Sequence, residues 1–208
     1  MHPYLDLLDY RRQVAALYAH VRSLGSAHPE AHAAFRRERD HLFATHPQSP
    51  LAPAQRSAFS GLRYYPYDPA LRFVLEPNLD VERESFELAL RDDGPLRLTR
   101  FAKVHFALLG ERISLSLFWL EGYGGGLFLP FRDATNDKTT YGGGRYLLDT
   151  IKGADLGEEG GKLVLDFNYA YNPSCAYHPR WACPLAPPEN RLTQPIKVGE
   201  KALPSGAH

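Results

Sequence analysis

The sequence predicts an α+β fold: N-terminal helices packed on an antiparallel β-sheet or a partly closed β-barrel, with a proline-rich C-terminal strap. Three observations carry this. Apolar residues between positions 14 and 45 recur at three- and four-residue spacing; after Gly61 they alternate; and seven prolines fall between Pro173 and Pro204. The first period is one face of a helix, and the second is a strand with one side buried. Strands joined by short turns pair antiparallel rather than as βαβ units.

Val14, Leu17, Tyr18, Val21 and Leu24 form the apolar face of a first helix, which Gly25 stops. Ser26 and Pro29 signal the start of a second helix running to about Thr45, with Phe35, Leu42 and Phe43 on its apolar side. The run His46-Pro47-Gln48-Ser49-Pro50 breaks it, and a short helix is expected over 53–59.

In the sheet region Phe86, Leu88 and Leu90 point one way, with Ser85, Glu87 and Arg91 opposite. Gly110-Glu111 reads as a turn between strands at 103–109 and 113–120, and further strands are expected at 127–131, 141–147 and 162–169. The glycines of 122–126 make a hairpin loop. Residues 173–200 read as an ordered strap laid over the sheet, with stiff, extended backbone, and 203–208 as a disordered tail.

At 208 residues, 44% of them apolar, the chain fits one domain spanning 1–208: helical over 1–60, β over 61–172, then the strap. Lys plus Arg balances Asp plus Glu at 24 each, which argues against nucleic-acid and anionic-membrane partners. No signal-peptide core or membrane-length apolar run is present, so a cytoplasmic location is expected. Two cysteines are too few for a disulfide scaffold in a chain of this size.

Chemistry-bearing residues concentrate in PFRDATNDKTTYGGGRYL at 130–147 and LDFNYAYNPSCAYHPRWACPLAPPEN at 165–190. Together with FRRERDHLFATHPQSPL at 35–51, FSGLRYYPYDP at 59–69 and IKVGEK at 196–201, these segments resemble a bacterial family known as domain of unknown function 1684. The resemblance implies a fold and the positions of a site, and carries no activity. The family pattern has Gly near Asp137 and Glu near Thr139, so this chain departs from it at that turn.

If 162–172 is extended, Asp166, Asn168 and Asn172 share a face, with Asp166 and Asn168 roughly 7 Å apart. That row is either a pocket wall or a solvent-facing strand surface. TYGGGRYL offers backbone N–H groups and the Arg145 fork to an anion; alternatively its glycines kink a strand and Arg145 pairs with Asp133 or Asp166. Asp133 and Asp166 are the candidate acid and base of a hydrolase- or isomerase-type reaction. Most of Asp133, Thr135, Asp137, Thr139 and Thr140 are expected to cap turns.

Tyr141, Gly143, Arg145, Asn168 and Cys175 are the candidate ligand contacts for an anionic or polar metabolite. Cys175, His178 and Cys183 are buried thiols with a neighbouring histidine, a local disulfide, or weak metal candidates, because a structural zinc needs four ligands. A nucleophilic cysteine served by His178 or His105 is a further reading. No cofactor is implied. The competing class is structural: the same residues form a buried polar network that fixes the strap, and a surface binds a protein partner. Glu189, Asn190, Glu200 and Lys201 would then satisfy backbone groups where the strap crosses the sheet.

Overall fold

The structure is a computed structural model that describes residues 2–90 and 94–203. Arg91 and residues 204–208 of the expected tail lie outside the described residues. Helix α1 (Pro3–Leu24) starts at a proline behind the His2 cap and ends at Gly25, whose φ of 79° a side chain would resist. Helix α2 (Pro29–Thr45) begins the same way behind His28, and α3 (Pro53–Ser57) is a single turn. Leu17, Tyr18 and Val21 of α1 and Phe35, Leu42 and Phe43 of α2 enter one apolar core. That core also takes Phe118, Phe128, Tyr146 and Tyr169 from the β region, so the helices cover one face of it.

Among the described residues eight strands follow: β1 (Arg72–Leu75), β2 (Glu84–Leu90), β3 (Gly94–Leu108), β4 (Glu111–Leu120), β5 (Gly126–Phe131), β6 (Arg145–Asp149), β7 (Glu158–Glu159) and β8 (Lys162–Asp166). They form two antiparallel sheets, of order β2-β3-β4-β5-β6 and β1-β8-β7. The α+β class and the antiparallel pairing hold. The strands make two open sheets rather than a partly closed barrel. Chain segments outside the strands stitch the sheets together: Tyr171, just past β8, exchanges two backbone hydrogen bonds with Tyr146 of β6.

Two strand expectations need correction. The Gly-rich strand begins at Arg145, not Tyr141, because the glycines form a tight turn closed by the Gly144 N–H on the Tyr141 carbonyl. The final strand ends at Asp166, whose carboxylate accepts the Asn168 N–H at 2.9 Å and caps a 3-10 turn over Phe167–Tyr169. The predicted alternation through 172 is therefore lost, and Asp166 and Asn168 do not line one strand face. A local side-chain bond outcompetes the sheet ladder here.

From Pro173 onward the chain runs through 3-10 turns and single bridges, which join Arg191 to Arg132 just past β5 and Glu200 to Tyr64. Asn190 fixes this path through its carboxamide, which donates to the Ser116 and Pro130 carbonyls and accepts the Ser116 N–H. No helix among the described residues is long and apolar enough to cross a membrane.

Candidate functional site

Arg145 opens β6 with its side chain wholly buried. Nη2 donates to Asp133 Oδ2 at 2.8 Å and to the Ile196 carbonyl at 2.9 Å, while Nη1 reaches the Val198 and Glu200 carbonyls. The guanidinium lies 5.1 Å from the centre of the Phe131 ring. Asp133 Oδ1 in turn accepts the N–H groups of Thr135 and Ile196 and the Thr135 hydroxyl. Gly144 lets this happen, since a Cβ there would stand 2.5 Å from the Phe131 carbonyl. This cluster joins β6 to the strap, and the bonding capacity of Arg145 and Asp133 goes largely to the protein itself.

Asp166 and Asn168 occupy a second cluster. Asn168 Nδ2 donates to Asp166 Oδ1 and to the Asp68 carbonyl, and Asn168 Oδ1 accepts the Asp68 N–H. His32 of α2 meets the Asn168 carbonyl at 3.2 Å. Burial pushes the Asp166 carboxyl up to about 6, against the two Asn168 hydrogen bonds. Among the described residues, Asp133 and Asp166 share no hydrogen-bond partner.

A third cluster lies between α2 and the strap, and it includes Arg39, which sequence reasoning passed over. Arg39 donates to Glu200 Oε2 at 2.9 Å and to the Tyr64 hydroxyl at 3.1 Å, and its guanidinium packs against the Phe35, Phe43 and Tyr171 rings. Glu200 is fully buried; it also accepts the Asn172 N–H and the Tyr177 hydroxyl. The signal for Arg39 was present, since it sits four residues after Phe35 on the apolar face of α2. Glu200 likewise falls on the same alternation as Ile196 and Val198, both buried.

Above Arg39 opens a cavity of about 320 Å³ between α1, α2 and the loop at 171–183. Its apolar wall includes Val14, Tyr18, Phe43 and Trp181, and its polar wall Arg11, Arg39, Lys152, Tyr171, Asn172 and Cys183. Tyr171 Oη and Asn172 Oδ1 are buried without a hydrogen-bond partner among the described residues. Among the described residues the wall contains no carboxylate.

The remaining candidates of the sequence cluster beside this cavity. Cys175 and Cys183 are free, partly buried thiols; the Cys175 N–H points at Cys183 Sγ, 3.3 Å away, and the Tyr141 hydroxyl lies 3.6 Å from Cys175 Sγ. Gly143 packs under the Tyr141 ring, where a Cβ would come within 2.4 Å of it. His178 Nδ1 accepts the Arg180 N–H instead of meeting either thiol. Among the described residues no three His, Cys, Asp or Glu side chains are grouped to hold a metal ion.

The sequence profile of the family described as "Protein of unknown function (DUF1684)" matches residues 57–201. The chain belongs to this family. The match starts after α2, so the segment 35–51, including Arg39, precedes it, while Glu200 lies inside it. Among solved structures, this DUF1684 chain is similar to the solution NMR structure of the uncharacterized protein from gene locus rrnAC0354 of Haloarcula marismortui. The two are 36% identical, the match covers 81% of this chain and 91% of that one, and the TM-score is 0.57. Among curated proteins, none matches the chain.

Proposed function

We propose that this DUF1684 chain is a small-molecule-binding module whose ligand occupies the cavity between α1, α2 and the 171–183 loop. The observation that carries the reading is a cavity of about 320 Å³ whose wall joins apolar side chains to Arg11, Arg39 and Lys152. That volume suits a small ligand. The ligand is amphipathic. Its body packs on Val14, Tyr18, Phe43 and Trp181, and its head is anionic, because the wall carries Arg11, Arg39 and Lys152 and no carboxylate. Glu200 neutralises Arg39, and Asp149 lies 3.2 Å from Lys152, so the attraction for the head is modest.

In this reading Tyr141, Gly143 and Cys175 support the cavity from behind the loop. Asp133, Arg145, Asp166 and Asn168 hold the strap and sheet that frame it. One observation favours an enzyme using Asp133 and Asp166, namely the raised carboxyl of Asp166. Their separate partner sets weigh against it.

Native mass spectrometry of freshly purified protein tests the proposal, followed by ligand-observed NMR with octanoate and octanol. A mass that leaves on denaturation, or saturable binding of octanoate in preference to octanol, supports it. Val14→Trp should fill the cavity and abolish binding while the melting temperature is kept. Binding that survives this substitution overturns the reading.

A further inference from the structure

We propose that Cys183 is a peroxide-reactive sulfur and Cys175 its resolving partner, so that the segment between them is a dithiol that closes to a disulfide on oxidation. The inference concerns the loop itself and stands whether or not the cavity beside it holds a ligand.

The geometry places the two sulfurs together. The 3-10 turn at Ser174–Ala176 aims the Cys175 N–H at Cys183 Sγ over 3.3 Å. The intervening loop is anchored at its tip: Arg180 donates to the Ser49 carbonyl at 2.9 Å and Trp181 Nε1 to the Pro50 carbonyl at 3.1 Å. Both thiols are partly exposed, and Cys183 lines the cavity, so a small hydroperoxide can reach it.

The electrostatics assign the roles. The Cys175 thiol, then the Cys175 amide and the Lys152 ammonium, hold the Cys183 thiol down to about 6 against the opposing effect of burial. Cys175 is pushed the other way, first by its hydrogen bond to Cys183 and then by burial. The Cys175 N–H donated to Cys183 Sγ favours the thiolate at Cys183 and leaves Cys175 as the thiol of the pair.

The chemistry balances. The Cys183 thiolate attacks an oxygen of a hydroperoxide; an S–O bond forms, the O–O bond breaks, and the departing oxygen takes a proton from water. Sulfur is oxidised to the sulfenic acid and the peroxide is reduced to an alcohol or water. Cys183 then no longer carries the charge that retained the Cys175 proton. Cys175 loses that proton, attacks the sulfenic sulfur and forms the S–S bond, with water leaving. A thiol reductant restores the pair by exchange.

The experiment uses the full reduced chain, one equivalent of hydrogen peroxide at neutral pH, and trapping by dimedone and iodoacetamide with peptide mapping. The wild type should lose both thiols together, yield the Cys175–Cys183 disulfide and take up no dimedone. Cys175→Ser, which keeps an O–H donor, should carry one dimedone at Cys183. In the reduced wild type, iodoacetamide should label Cys183 at least about tenfold faster than Cys175. Faster labelling of Cys175, or peroxide-treated wild type in which both thiols remain free or Cys183 ends as a dimedone adduct, overturns the proposal. The wild-type peptide map decides by itself if the Ser variant fails to fold.

Discussion

Arg39 and Glu200 meet at 2.9 Å, Nη2 to Oε2, although 161 residues separate them in sequence. The carboxylate is sealed from water and the guanidinium nearly so. Removing one partner of such a pair strands a charge in a low-dielectric interior and costs about 3–5 kcal/mol. Glu200→Gln and Arg39→Met are each expected to lower the unfolding free energy by about that amount, measured by urea titration. The double variant should lose clearly less than the sum of the two.

Arg145→Ala should be among the most damaging substitutions in the chain. It removes the partner of buried Asp133 and the donors to the Ile196 and Val198 carbonyls. A loss of at least about 3–5 kcal/mol, or failure to fold, is expected by thermal melting. Arg145→Lys should rescue little, because an ammonium lacks the planar fork that spans the carboxylate and the carbonyls. A melting temperature unchanged in Arg145→Ala would instead free this arginine for a ligand.

Asp166 gives a pH signature. Its folded-state value of about 6 lies above the ordinary 3.8, so between pH 4 and 6 the unfolded chain gives up its proton first. The folded state then binds more protons, and stability falls as pH rises through that window, by roughly 3 kcal/mol for this group. Asp166→Asn keeps an oxygen to accept from Asn168 and cannot ionise. Its stability relative to wild type should therefore improve between pH 4 and 6 and level off above about 6. Urea titrations at pH 4, 5, 6 and 7 read this directly.

Asp137 stands at φ 62° in the left-handed region, where a side chain is strained. Its contact with Arg132 is 3.4 Å long and exposed, so it stabilises little. Asp137→Gly is expected to raise stability by about 0.5–1 kcal/mol, read as a small increase in melting temperature.

The same residue marks how far the sequence could be read. Its positive φ is a backbone that glycine adopts more freely than aspartate, and nothing in the local residue pattern announces it. Helices, strands and turns were legible because their periods and breakers are local: α2 runs from the Pro29 signal to Thr45, and β4 and β5 bracket the glycine loop. The end of β8 was not, since a two-residue bond from Asp166 to Asn168 overrides alternation that continues in the sequence. Arg145 pairing with Asp133 was one of two open readings, and distance between elements decided it. The cavity was not legible because α1, α2 and the 171–183 loop converge on it from segments far apart in the sequence. No periodicity registers such a convergence.

The strap has a consequence for how the molecule is made. Ile196, Val198 and Glu200 supply the carbonyls for Arg145, and Glu200 the carboxylate for Arg39, and all are translated after every helix and strand. Until these residues are made, Arg39 has the Tyr64 hydroxyl but no carboxylate, and Arg145 has Asp133 but not the Ile196 and Val198 carbonyls. Closure of this interior therefore waits on the strap, and a premature stop before Ile196 would leave the strands of the two sheets made but both guanidinium groups short of partners.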